Sequence, residues 1–354
     1  MADINLFDKY SDKMAMLYAH ASFVKGKTSN EYDWNGVESI KIMTPVTVPL
    51  NNYNRAAASN RYGTPTEMGD FTQRCPITQD KGFSVTIDKG NYTEQMMLKE
   101  AGKMMKAEVD EQVTPVIDKW AIGKWAANAG TVVSCSAEPT KTTIIEHLAD
   151  VEAKFADAFI PLEDRFILIT NSVVSKYRQA FDALDTITDR LLLKGVIGKF
   201  GTLNIVGIPG DWMPAGAYYL AFQRRSAILA DKVADTVLHT NPPGISGHLL
   251  EGRYIYDAFV VGARAKGVLV GAASANIAKA PTATKGASTT SLASDTSEAT
   301  IKYTLDGTDP MYSNSAITYS AAIANPTAGT IIKAYATYVS GGMYPSDVVT
   351  HKCV

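Results

Sequence analysis

Between two stretches of strand pattern lies a segment that a compact domain has no room to absorb. Residues 37–48 look extended, with Ile40 and Ile42 alternating with Ser39 and Lys41, and Pro45 and Pro49 barring a central-strand role for that end. Phe83, Val85 and Ile87 alternate with Ser84, Thr86 and Asp88, the period-two signature of a second strand. Residues 51–74 separate them and hold Asn52, Asn54, Asn60, Gly63, Thr64, Pro65 and Gly69. Unstructured loops beyond about 12–15 residues are uncommon inside a compact domain. Such a segment is a lid, a disordered stretch, or an arm whose partner is another subunit. Tyr53, Arg55, Arg61 and Tyr62 are side-chain types enriched at protein interfaces and favour the arm. A plain solvated loop is the competing reading, and these residues alone leave both open.

The clearest helix follows. Asn91 caps it and Glu94 completes a capping box. Met97, Ala101, Met104, Met105, Val109 and Val113 recur at spacings of three and four, with Lys99, Lys103, Lys106, Glu108 and Glu111 on the other faces. That pattern predicts a long amphipathic helix with one buried stripe. An adaptable Met-rich binding groove is the alternative use of such a stripe. Pro115 is expected to kink or end this section, and Val116, Ile117, Trp120, Ile122 and Trp125 carry a second one. Upstream, Leu6, Tyr10, Met14, Met16, Leu17, Ala19 and Phe23 mark a short amphipathic helix within residues 5–25, followed by a polar arm lying on some other surface.

Residues 141–240 alternate helix and strand signals: helical at 144–159 and 172–184, strand-like at 166–170, 203–208 and 217–222. Pro242-Pro243-Gly244 breaks the chain, and residues 253–261 and 267–270 read as β segments. From Ala272 to about Thr290 the composition is that of a linker. Beyond it, Ile301, Tyr303 and Leu305 alternate with Lys302 and Thr304, Asp306-Gly307 supplies a tight turn, and Ile332, Ala334 and Ala336 alternate again. Residues 291–354 thus have the length and pattern of a small β-sandwich. A chain of 354 residues exceeds one core, which agrees with at least two folded units.

Chemistry-bearing patterns are missing. A net charge of -2 provides no basic excess, so any enclosed nucleic acid is not gripped. Cys75, Cys135 and Cys353 are too far apart for a metal pair or a disulfide framework. The five histidines are isolated from one another in sequence. Gly195-Val196-Ile197-Gly198-Lys199 lacks the phosphate-loop spacing, and Phe200 stands where Ser or Thr would hold Mg²⁺. Gly244-Ile245-Ser246-Gly247 is not a nucleophile elbow. Asn91-Tyr92-Thr93 matches a glycosylation sequon by chance, and Asp306 and Asp309 belong to a turn. Met1-Ala2-Asp3-Ile4-Asn5 starts no secretory signal, and no apolar run spans a membrane. The expectation is a non-enzyme with no catalytic, cofactor or metal residues, kept in a cytosol-like compartment.

Several blocks in order resemble major capsid proteins of tailed bacteriophages. They are Tyr32-Asp33-Trp34 with residues 37–44, Asn60-Arg61-Tyr62-Gly63-Thr64-Pro65, residues 83–90, the long helix, Asn241-Pro242-Pro243-Gly244-Ile245-Ser246-Gly247, and Glu251-Gly252-Arg253-Tyr254-Ile255-Tyr256-Asp257-Ala258-Phe259. The resemblance covers residues 1–272. It implies an α+β, Hong Kong 97-like capsid fold. Residues 1–36 would be the N-terminal arm, 37–90 the extended loop over a neighbouring subunit, and 91–140 the spine helix and peripheral domain. Residues 141–245 would be the axial domain, 246–272 the returning peripheral strands, and 273–290 a linker to a decoration domain at 291–354. That last module is similar to the immunoglobulin-like domain at the C-terminus of chitobiases and β-hexosaminidases. The matching residues run from Ile301 to Pro310, then Ser313, Tyr319, Ile323 and Ile332-Lys333-Ala334.

What the resemblance implies is a virion shell of pentamers and hexamers, assembled in the bacterial host cytoplasm around double-stranded DNA, with a separate scaffold protein and a portal. Tyr53, Arg55, Arg61 and Tyr62 would meet a neighbour, with Glu108, Asp110 and Glu111 as candidate partners for the arginines. The outer module would bind carbohydrate or a cell surface weakly, if at all. An encapsulin-like compartment and a secreted carbohydrate-binding or carbohydrate-active protein are the alternatives.

Overall fold

The computed structural model describes residues 21–29, 31–32, 38–47, 50–65, 67, 69–89, 101–182 and 196–353. The expected N-terminal helix, the Asn91–Glu94 capping box and Met97 lie outside the described residues. In chain order come β1 (Ser39–Pro45), β2 (Asp70–Pro76), β3 (Gln79–Asp88), α1 (Ala101–Glu108), a π turn (Val109–Val113) and α2 (Thr114–Ala127). β4 (Thr131–Cys135), α3 (Ile144–Asp157), β5 (Arg165–Thr170), α4 (Asn171–Asp182), β6 (Val196–Phe200), β7 (Leu203–Ile208) and β8 (Ala217–Gln223) follow. β9 (Ala227–Thr240), β10 (Gly247–Val260) and β11 (Val268–Ala273) complete the body.

β1 and β2 pair antiparallel from Ser39 opposite Pro76 to Pro45 opposite Asp70. The long segment is therefore the tip of a two-stranded hairpin, and residues 70–74 are strand where loop was expected. Pro115 does not end the helix. It falls in the first turn of α2, just after the π turn, where Thr114 N–H donates to Val109 O. A π turn inserts one residue into the helical ladder, and the helix absorbs the proline there.

Six strands in the order β4-β11-β8-β5-β7-β6 form a mixed sheet, with β4–β11 and β5–β7 parallel. Its strands are apolar on both faces because both are covered. Leu168, Val206, Ile208, Leu220, Phe222, Val268 and Val270 face α2, packing with Ile122 and Trp125. The alternate positions Ile167, Ile169, Ile205, Tyr219, Ala221 and Leu269 face α3 and α4, packing with Leu148, Val151, Phe155 and Val174. A second sheet, β3-β10-β9, runs beside the spine helix. The sheets divide the chain differently from the sequence reading. β4 and β11 lie in the six-stranded sheet, outside the segment read as axial, while β9 leaves it to pair with β10.

The C-terminal module is two small sheets. β12 (Thr282–Lys285), β13 (Thr289–Ala293) and β16 (Ile323–Ala324) form one, in that order. β14 (Thr300–Thr304), β15 (Ile317–Thr318), β17 (Ile331–Thr337) and β18 (Val349–Lys352) form the other, ordered β15-β14-β17-β18. Ala278, Leu292, Ile301, Ile323, Ala334 and Ala336 fill the space between. The segment read as a linker, 273–290, is instead structured: Ala278 is buried, and β12 and the start of β13 belong to the sandwich.

Candidate functional site

The hairpin tip is built to stand by itself. Val46 N–H donates to Gly69 O at 2.8 Å, extending the ladder. Further out, Asn54 N–H donates to Arg61 O and Gly63 N–H to Asn60 O, both at 2.9 Å. Asn60 and Gly63 adopt positive φ of 53° and 96°, the left-handed backbone that Asn tolerates and Gly takes freely. The Tyr53 and Tyr62 rings meet edge to face at 4.9 Å. Arg61 Nε donates to Ala57 O at 2.8 Å, which fixes the guanidinium's stem.

None of this buries the tip. Of the described residues 45–70, all are exposed except Ala57 and Gly63, which are half-buried. Leu50 is 102% exposed, Tyr62 83% and Met43 69%. Large apolar side chains clustered on one exposed element mark an interaction surface. The structure brings Tyr53 and Tyr62 together and places Arg55 and Arg61 beside them. Glu108, Asp110 and Glu111 sit half-buried on the spine helix. Among the described residues, no ion pair joins them to the two arginines. Sequence reasoning missed Met43, Val46 and Leu50. The available signal was Met43 directly after Ile42, an apolar residue on the outward face of a strand.

The hairpin's root, by contrast, is locked. Gln73 is buried; its amide donates to Val260 O and accepts from Gly262 N–H, each at 2.8 Å. The Asp257 carboxylate, also buried, accepts from Thr78 N–H and Oγ1 at 2.9 and 2.7 Å and from Trp120 Nε1 at 2.9 Å. It also accepts from Ala258 N–H at 2.8 Å. One side chain thereby ties the arm, the spine helix and β10. Ile42, Cys75, Ile228, Phe259 and Val261 pack around the joint. Burial pushes the Cys75 thiol up to about 12, so it stays protonated and inert.

Residues 21–29 strap the spine helix. Asp118 accepts from Ser22 Oγ at 2.6 Å and Phe23 N–H at 2.7 Å. Burial raises the Asp118 carboxyl above its ordinary range, against the opposing pull of Ser22, Phe23 and Lys27. Lys27 is lowered by its own burial and donates to Phe23 O. A groove also lies beside the spine helix. Phe83, Val113, Val116, Ile117 and Tyr254 line it, together with Glu108. Tyr256, 1% exposed, also lines it, and among the described residues its hydroxyl has no hydrogen-bond partner.

The body has the Hong Kong 97-like capsid fold, and the C-terminal module is an all-β sandwich. A chain of Mycobacterium phage Che8 is 17% identical at a TM-score of 0.58, covering 75% of this chain and 96% of its own. The capsid of cyanophage P-SCSP1u is 11% identical at a TM-score of 0.62, with 75% and 92% covered. The mature capsid of bacteriophage PhiM1 is 11% identical at a TM-score of 0.56, with 77% and 92% covered. At these identities the likeness is one of fold. The Fn3 associated family matches residues 291–353. No curated protein matches the chain.

Proposed function

We propose that this chain is the major capsid protein of a tailed phage, a structural subunit and not an enzyme. It self-assembles into pentamers and hexamers that close into an icosahedral head around double-stranded DNA, with the C-terminal module on the outer surface. The observation that carries this is the hairpin arm, rigid at its root and bare at its tip. Its apolar and arginine side chains are exposed, while the groove beside the spine helix offers an apolar lining together with Glu108. One surface fitted to a different surface on the next copy is the heterologous contact that generates rings. A separate scaffold protein and a portal, assembly in the host cytoplasm, and weak glycan binding by the outer module complete the proposal. Among the described residues no helix is long and apolar enough to cross a membrane.

Negative-stain imaging of the chain co-expressed with its scaffold tests the proposal. Closed shells of uniform diameter are expected. Monomers that stay dispersed at high concentration would sink it, and enzyme cargo in place of DNA inside native particles would favour the encapsulin-like reading.

A further inference from the structure

The C-terminal module grips the body through two tyrosines. Tyr312, 6% exposed, enters the same apolar cluster as Trp125, Phe222 and Val268, and its hydroxyl donates to Asn128 O at 2.8 Å. Tyr344, 5% exposed, donates to Ala215 O at 3.1 Å. Its backbone is held between Asn276 O, which accepts from Tyr344 N–H at 2.7 Å, and Ala278 N–H, which donates to Tyr344 O at 2.9 Å.

A third contact reaches the arm. Asn314 N–H donates to Thr72 O at 3.1 Å, in β2. Thr72 adjoins Gln73, whose amide is fastened to Val260 and Gly262. Gly262 is itself the close-approach point: a Cβ there would lie 2.7 Å from Tyr312 Cβ and 3.2 Å from Gln73 Oε1. The body and the module thus both hold the arm's root, at Gln73 and at the neighbouring Thr72. This matters because, among the described residues, β1 and β2 form a sheet of two strands, with no third strand to set their direction. An isolated two-stranded hairpin is marginal in water.

We propose that the C-terminal module serves as a wedge that fixes the angle at which the hairpin arm leaves the body. The seat is a property of one subunit, so it stands apart from the shell reading; only its consequence for a neighbour rests on that reading. Four full-length variants test it by native-state hydrogen exchange with mass spectrometry: Tyr312→Ala, Tyr312→Phe, Gly262→Ala and Tyr338→Ala. Tyr338 is the control, since its hydroxyl bonds Glu298 within the module. Tyr312→Ala and Gly262→Ala are expected to speed exchange about tenfold at residues 70–76 and 312–316, the scale of one lost hydrogen bond. Protection of β17 and of β5 should be unchanged. Tyr312→Phe keeps the ring and gives a smaller effect in the same segments, which preserves the test if the alanine variants fold poorly. Tyr338→Ala should leave residues 70–76 at the wild-type rate. Exchange at 312–316 that accelerates while 70–76 keeps its wild-type protection overturns the wedge. Shell formation is not the readout, so failure of the shell reading leaves this result intact.

Discussion

At the residue scale, two buried carboxylates hold the parts that a neighbour would use. Asp257 satisfies four donors from three elements. Asp257→Ala would strand them inside the protein, and an unsatisfied buried donor costs about 1–3 kcal/mol. With water reaching some of the donors, the expected loss is about 3 kcal/mol. Urea denaturation followed by tryptophan fluorescence measures it, since Trp120 is one of the donors; a loss near zero would mean the joint is held by packing alone. Asp118 has a pH signature. Its folded-state pKa is raised, chiefly by burial of the charge. The native chain therefore binds that proton more tightly than the unfolded chain does. The stability this confers is fully present below about pH 3.9, the unfolded value. It is lost as pH rises through the raised folded value. Asp118→Asn carries a neutral isostere at every pH. Wild-type stability minus variant stability should fall as pH rises through that window and then level off. A difference that grows with pH contradicts the assignment.

At the scale of the element, α3 shows how a local rule is broken. It ends in a Schellman motif: Phe159 N–H donates to Ala156 O at 2.9 Å and Ile160 N–H to Phe155 O at 3.0 Å. The motif needs a left-handed residue where Gly is usual, and Phe159 occupies it with φ of 53° while 94% exposed. The left-handed backbone costs a non-glycine residue about 1–2 kcal/mol, and glycine's extra unfolded entropy returns about 0.4–1 kcal/mol of that. Phe159→Gly should therefore stabilise the chain by up to about 1 kcal/mol in thermal unfolding; a loss would show that the ring packs within its own subunit. Elements with strict alternation, such as β1 and β3, were legible because their pattern and their burial agree. In β14 they part, since Thr304 is buried and Leu305 exposed. The expected buried stripe of the spine helix is only half-buried at Met104, Met105, Val109 and Val113, no more than Glu108, Asp110 and Glu111. β2 was not legible, since its inward position Gln73 is polar and is satisfied by backbone groups far along the chain. The false linker shares its Ala, Ser and Thr composition with edge strands that bury small residues. The π turn was hidden because Pro115 signals a break wherever a first helical turn is not expected. Tyr53, Arg55, Arg61 and Tyr62 are exposed, as both the arm and the plain-loop readings of the tip require. The seat of Tyr312 and Tyr344 lay beyond sequence, because its other half comes from Asn128, Ala215 and Gly262.

For the whole molecule, the proposed shell turns on one exposed arm. An ion pair in the proposed subunit contact is weak, because exposed ion pairs contribute only about 0.2–1 kcal/mol. On the proposed shell, closure would repeat that contact around every ring, so a small change per contact would be multiplied in assembly while leaving the fold alone. Arg61 separates the two effects. Its side chain lies on the exposed tip, where its Nε donates to Ala57 O in the same turn. Arg61→Glu should hold subunit stability within about 0.5 kcal/mol, the range of a surface substitution. A contact weakened by about 1.4 kcal/mol raises the concentration needed for association about tenfold. Light scattering during assembly, with imaging of the products, reads that shift, and it should shrink at high salt, where charge is screened beyond about 3 Å. The partner is then found by a second reversal. If Glu108 receives the arm, Glu108→Arg restores shells to the Arg61→Glu chain, as like charges become opposite again across the contact; the same reversal at Asp110 or Glu111 tests those two. Rescue at one position assigns the contact. Normal assembly of Arg61→Glu removes the arginine from the interface and leaves the apolar residues Met43, Leu50 and Tyr62 to carry the arm's grip, whereas failure of all three reversals to restore shells excludes Glu108, Asp110 and Glu111 as its partner.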